Sequence, residues 1–207
     1  MITRKTYDEM REMIDECEGD VLLLDGDVFD ETTTQRDMDN FFKVLSSIKA
    51  HRYGIFYVSG NHDDDFVSEE MQKRGVNVLD DKMTLLGTDI QLIGIADKHH
   101  SKSDIDKIYK DLNPDQDKPI LTMIHRPINL SELSSLGTDL SMSGHTHGFN
   151  VFQFLGVGLV SEMFSGTKQY GDMTAITTSG VSAWGYHYKW PAQSEIAKIH
   201  LTFSPPH

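Results

Sequence analysis

VLLLDGDVFD, residues 21–30, runs four apolar residues straight into three carboxylates, Asp25, Asp27 and Asp30, with Gly26 between the first two. A short unbroken apolar run bounded by turn residues reads as a buried strand, so the acids sit at its carboxyl end. The same ending recurs three times. "GIFYV" (54–58) leads to Asn61 and His62 in "SGNHDDD", "ILTM" (120–123) leads to His125, and "LSMS" (140–143) leads to His145 and His147 in "GHTH". Helical spacing fills the intervals. Tyr7 to Cys17 predicts an amphipathic helix, with Thr6 and Glu9 placed for a capping box. A second helix carries Met38, Phe41, Phe42, Leu45 and Ile48. A short one ends before Gly75, another carries Ile105, Ile108, Tyr109 and Leu112, and "LSEL" gives a last turn or two.

"VNVL" predicts a further strand, and "MTLL" with "IQLIGIA" a hairpin across Gly87 to Asp89. Beyond the "GHTH" block, "NVFQF", "MTAITT" and the alternating "EIAKIHLTF" predict sheet without intervening helices. Strands and helices alternate through most of the chain, so the expectation is one α/β layered domain over 1–207 with a strand-rich C-terminal part.

With 207 residues, 38% apolar and 25% charged, the chain suits one soluble globular domain. The formal charge of −13 argues against a nucleic-acid surface, and an anionic substrate requires local positive charge such as a bound metal. Cys17 is the sole cysteine, which excludes an internal disulfide and a cysteine-based zinc site. Its phase with Tyr7, Met10 and Ile14 predicts a buried helix position. No apolar run approaches the roughly 20 residues of a membrane helix, and no signal-peptide layout opens the chain, so as given it is expected in the cytoplasm.

Ligands of open α/β sheets bind beyond the carboxyl ends of strands, which predicts that the four acid- and histidine-bearing loops converge. Asp, Asn and His form an oxygen and imidazole set suited to Mn, Fe or Zn, and Asp27 has two oxygens with which to bridge two cations. Gly26, Gly60 and Gly144 are expected to let the backbone turn sharply. Each motif alone has an ordinary reading: a turn or cap for "GDVFD", a solvated turn for "GNHD", a core histidine for His125. The glycine and acid offsets of "DGDVFDE" do not match a calcium loop. Order and strand-end placement together favour a site.

These blocks resemble the calcineurin-like metallophosphoesterase superfamily, whose ordered motifs are D-x-H, G-D-x-x-D, G-N-H-D/E, a lone His and G-H-x-H. "GDVFD", "GNHD", His125 and "GHTH" match the last four in order. "HRP", "GTDLSMSGHTHG" and the tail "TTSGVSAWGYHYKWPAQSEIAKIHL" further resemble the branch whose members often carry N-terminal membrane segments. The resemblance implies an α/β/β/α sandwich of two mixed sheets flanked by helices. It implies one metal held by Asp27, Asn61, His125 and His145, and a second sharing Asp27 and taking His147. His62 would be the catalytic acid, with Asp63 orienting its ring.

The D-x-H block has no counterpart ahead of Asp27, so the chain is read as N-terminally truncated, with the first strand missing, one metal well bound and activity impaired. Asp97 and His99 form a D-x-H on the wrong side of the other blocks; with His100 they are expected as exposed loop residues near the cleft. Phe149 departs from the branch's usual sequence at the pocket rim, and Trp184 and Trp190 are expected in packing. The implied substrate is a phosphate mono- or diester, a phospholipid or pyrophosphate-linked lipid among the options. A membrane is reached only through a segment absent from this chain, and self-association is expected through the exposed sheet edge. The alternatives are a non-catalytic interaction module on the same fold, or a single structural zinc.

Overall fold

The computed structural model describes residues 2–3, 7–30, 33–48, 51–98, 101–148, 161–181, 188–189 and 194–202. The expectations for Thr6, His99, His100, Phe149, "NVFQF", Trp184 and Trp190 lie outside the described residues.

Four layers stack as helix, sheet, sheet, helix. The smaller sheet holds β2 (Val21–Leu24), β3 (Gly54–Tyr57) and β4 (Asn77–Val78) in that order, parallel throughout. The larger runs β5 (Lys82–Leu86), β6 (Ile90–Ile95), β7 (Ile120–Ile124), β8 (Leu140–Ser143), β10 (Met173–Thr177) and β9 (Gly166–Tyr170). It is mixed, with antiparallel pairs at both ends and parallel pairs between. The expected sandwich of two sheets flanked by helices is present; among the described residues the pairs of the smaller sheet are parallel. A separate antiparallel pair joins β1 (Ile2–Thr3) to β11 (Tyr188–Lys189).

The unbroken apolar runs follow from burial on both faces. Phe56, Val58, Leu92, Leu121, Met123, Leu140 and Met142 meet between the sheets. On the outer face of the smaller sheet, Leu22, Leu24 and Tyr57 pack with Phe41, Phe42, Leu45, Val67 and Met71 of α2 (Gln35–Ser47) and α3 (Asp65–Lys73), with Tyr7 and Met10 of α1 (Tyr7–Cys17) alongside. Ile93, Ile95 and Ile124 of the larger sheet face Ile105, Ile108, Leu130 and Leu133 of α4 (Lys102–Leu112) and α5 (Leu130–Ser135). Capping boxes start α2 at Thr34 with Asp37 and α4 at Ser101 with Asp104, satisfying amides that a helix start leaves open.

Three expectations differ. Residues 195–202 of "EIAKIHLTF" carry no strand, because alternation supplies a face but no partner ladder; Ile199 still packs against the inter-sheet core. The strand β9, "GTKQY", is exposed along four of its five residues and so lacked the apolar signal. Cys17, at the end of α1, is half-buried. Among the described residues, no strand pairs with the outer edge of β2, and no helix is long and apolar enough to cross a membrane.

Candidate metal centre

The site lies where loops from both sheets meet, and two glycines let them approach. A Cβ on Gly26 would stand 2.5 Å from the Gly60 nitrogen and 2.8 Å from His125 Nδ1, and one on Gly60 would collide with the Asp27 backbone nitrogen and Oδ1. Gly26 also makes the expected sharp turn, at φ 81° in the left-handed region, whereas Gly60 has no positive φ and is required by close approach alone. Gly144 is different: it has no left-handed backbone and its nearest neighbour for a Cβ is at 3.8 Å, so the sharp turn expected there is made instead by His145 and His147. Asp27 at φ 50°, His145 at 63° and His147 at 49° all occupy the left-handed region, which costs a non-glycine residue free energy and concentrates at functional sites. The Gly144 amide donates to the His125 carbonyl at 3.0 Å, tying the two histidine loops together.

Asp27, His125 and His145 offer ligand atoms within 4.8 Å of one another. His125 is 1% exposed, and its Nδ1 lies 2.5 Å from the Asp25 carbonyl oxygen. A carbonyl only accepts, so Nδ1 carries the proton and Nε2 presents its lone pair. That lone pair faces Asp27 Oδ2 at 3.0 Å and His145 Nδ1 at 3.2 Å. Such an array of acceptors needs a cation between them, either an extra proton on Nε2 or a metal. Donors about 2.1 Å from a metal stand about 3.0 to 3.4 Å apart in octahedral or tetrahedral geometry, so the observed spacing fits.

The electrostatics agree. Burial disfavours charge on both partners, but Asp27 and His125 stabilise each other, holding the Asp27 carboxyl below and the His125 imidazolium above their ordinary ranges. His145 is pushed down to about 4 by burial and by the charges of His125 and Arg126, which leaves it neutral and ready to ligate. Burial pushes the Asp25 carboxyl up to about 6, and its Oδ1 is shut off from solvent without a hydrogen-bond partner even though the residue as a whole is half-buried.

Asp63, expected to orient the His62 ring, also ties two loops together. Its carboxylate accepts from the backbone amides of Asp27 at 2.6 Å, Gly60 at 3.0 Å and Val28 at 3.1 Å. It clips the "GDVF" loop to the "GNHD" loop. Phe29 anchors the same loop from the other side, edge-on to Phe41 and Phe42 at 5.3 and 5.6 Å. His62 donates its backbone N–H to Asp27 Oδ1 at 2.9 Å and is half-buried. Asn61 is exposed at the loop tip, and His147 stands outside the three-residue cluster, though its charge acts on His145.

Asp97, expected as an exposed loop residue, is instead buried at 6% accessible, because its Oδ2 pairs with Arg126 Nη2 at 3.1 Å. Sequence reading passed over Arg126; its place directly after His125 in "HRP" was the available signal. The supporting role of the Asp25 carbonyl had no signal, since backbone direction is invisible in residue types.

A family model for calcineurin-like phosphoesterases matches residues 4–149. An uncharacterised metallophosphoesterase of Helicobacter pylori strain J99 is 33% identical over 204 residues, covering 92% of this chain and 53% of its own length. Another, Cj0846 of Campylobacter jejuni, is 28% identical over 194 residues, covering 88% and 50% respectively. The chain thus spans about half the length of the curated relatives it matches. Among solved structures, TT1561 of Thermus thermophilus superposes with a TM-score of 0.54 at 13% identity, covering 83% of this chain and 81% of that one, a likeness of fold. The layered sheets, the convergent loops and the extent of these matches lead to one assignment: the chain belongs to the calcineurin-like phosphoesterase family.

Proposed function

We propose that the chain is a metal-dependent phosphoesterase acting on phosphate mono- or diesters. The observation that supports this is the convergence of Asp27, His125 and His145, whose ligand atoms lie within 4.8 Å of one another, with His125 Nε2 at 3.0 Å from Asp27 Oδ2 and 3.2 Å from His145 Nδ1. Those residues would hold one divalent cation, Mn, Fe or Zn, with Asn61 as a fourth donor from the adjoining loop tip. When bound, the cation would supply Lewis acidity and lower the pKa of its water toward about 7. His125 contributes a fixed tautomer through the Asp25 carbonyl. His62, tethered by its backbone to Asp27, delivers a proton to the leaving oxygen.

A second cation would share Asp27 with His147 and would bind weakly with that pair alone. The family's D-x-H pair has no counterpart ahead of Asp27 in this sequence, and a strand carrying it would align along the open edge of β2. The chain's own activity is therefore low, and the same edge is the surface for self-association. A phosphorylated or pyrophosphate-linked lipid fits the reading as a substrate.

The test is turnover of chromogenic phosphate mono- and diesters with added Mn²⁺, beside metal titration by calorimetry. Expected are one tight site, slow hydrolysis abolished by chelator and by Asp27→Asn, and faster hydrolysis when a D-x-H strand is added ahead of Met1. Hydrolysis indifferent to chelator and to Asp27→Asn, or no bound metal at all, overturns the reading.

A further inference from the structure

We propose that Arg126 is a substrate-binding residue, holding the phosphoryl group of a dianionic substrate, a terminal phosphate monoester, against the metal centre. This rests on the phosphoesterase reading and names the charge class of its substrate.

Position comes first. Arg126 directly follows His125, the most enclosed of the three ligands, at the carboxyl end of β7. Its Nη2 pairs with Asp97, which follows β6, the parallel neighbour of β7, so the guanidinium stands at the carboxyl ends of these two strands, on the side from which the His125 loop leaves. The chain as a whole carries −13, and Asp25, Asp27, Asp63 and Asp97 crowd this end of the sheets. A monoester brings nearly two more negative charges near neutral pH, against one for a diester. A fixed cation beside the metal is what lets such a group approach.

The manner in which Arg126 is held is the second observation. A guanidinium has five N–H donors in a rigid fork. A purely structural pairing with a carboxylate uses the fork bidentately, through two parallel bonds. Here Asp97 Oδ2 takes Nη2 at 3.1 Å, while Nε is buried with no acceptor. A buried, unmatched donor is costly, so the pair is not arranged for stability alone. The side chain is 26% exposed, whereas Asp97 is 6% exposed. The carboxylate is thus an anchor that fixes one corner of the guanidinium and leaves the solvent-facing part of the fork, not the enclosed Nε, for an outside anion. Phosphate oxygens match that fork. Asp97 is then a positioning residue, acting through Arg126.

Inorganic phosphate serves as the probe, since it is the product every monoester releases. Calorimetry on the Mn-loaded chain should show phosphate binding weakened about 10- to 100-fold by Arg126→Ala, the loss expected for hydrogen bonds to a charged group, with Mn affinity unchanged within about twofold. In turnover, the same variant should raise KM for a chromogenic monoester by a similar factor and for a diester by less than about threefold. Arg126→Lys keeps the charge without the fork and should fall between, which also covers the case in which the alanine variant does not fold. Asp97→Asn should raise monoester KM about threefold to fivefold with kcat unchanged, a split that general loosening of the structure would not produce. A folded Arg126→Ala or Arg126→Lys chain that binds phosphate as the parent does, with metal in place, overturns the proposal and leaves the phosphoesterase reading standing. Failure of the parent chain to bind metal overturns both.

Discussion

Removing the Asp63 carboxylate tests whether this side chain serves proton transfer or architecture. In Asp63→Ala, the amides of Asp27, Gly60 and Val28, now at 2.6, 3.0 and 3.1 Å from the carboxylate, lose their acceptor. Backbone bonds to a charged acceptor contribute about 1.5 to 3 kcal/mol each, and burial of the carboxylate, which holds its pKa above the ordinary range, offsets part of that gain. A net loss of about 3 kcal/mol follows, and for a domain of this size that lowers Tm by roughly 6 to 12 °C. Because the clip also fixes the left-handed turn at Asp27, metal affinity should fall with stability. Thermal unfolding of the metal-free chain measures the first, calorimetric Mn titration the second. Asp63→Asn keeps an acceptor oxygen without the charge and should lie between. Were Asp63 only the orienter of the His62 ring, its alanine variant would unfold and bind metal like the parent and differ solely in the pH dependence of turnover. That result would refute the clip.

Gly60→Ala should be at least as disruptive for metal binding, since the new Cβ meets the Asp27 backbone nitrogen and Oδ1; Mn titration should show loss of the tight site, and an unchanged isotherm contradicts the close-approach reading. Asp25→Asn should stabilise the metal-free chain at neutral pH. The Asp25 carboxyl titrates at about 6 when folded against 3.8 as a free group, so its ionisation destabilises the fold above pH 6 by about 3 kcal/mol. That penalty fades as pH falls from 6 through 3.8, below which both forms are protonated, so the two chains' denaturant midpoints should converge at the acid end; parallel curves across that range would reject the assignment.

The elements read correctly from the sequence are those whose burial writes a period into the chain. Tyr7, Met10 and Ile14 mark α1, Phe41, Phe42 and Leu45 mark α2, and the unbroken runs of β2, β3, β6 and β7 announce strands covered on both faces. Where a strand is exposed, as in "GTKQY", pairing is fixed by the neighbouring "MTAIT" ladder and leaves no trace in composition. The three clustered ligands were legible because each ends a strand in the same way. Their supports were not. Asp63 sits beside His62 in sequence, but its carboxylate turns to amides in the loop around residue 27, an arrangement set by how the two loops approach. Asp97 looked like a surface residue because its motif was out of order, and its burial follows from Arg126 reaching it across the β6 and β7 ends.

The centre's two halves belong to different sheets: Asp27 leaves β2 of the smaller, His125 and His145 leave β7 and β8 of the larger. Beyond single hydrogen bonds such as those from His125 Nδ1 to the Asp25 carbonyl and from the Asp97 amide to the Ser59 carbonyl, the sheets meet through side-chain packing of the kind formed by Phe56, Leu92, Leu121 and Met142, which is non-directional. A cation bound to all three residues therefore fixes the sheets' relative position as packing alone does not, and its binding free energy appears as folding stability. At a free metal concentration one hundred times the dissociation constant the gain is about 2.7 kcal/mol, a rise in Tm of roughly 5 to 11 °C. His145→Ala removes a ligand from one sheet and Asp27→Asn weakens one on the other, so either should abolish the metal-induced rise. A full Tm shift surviving both substitutions would mean that the cation binds elsewhere and that these three residues do not join the sheets.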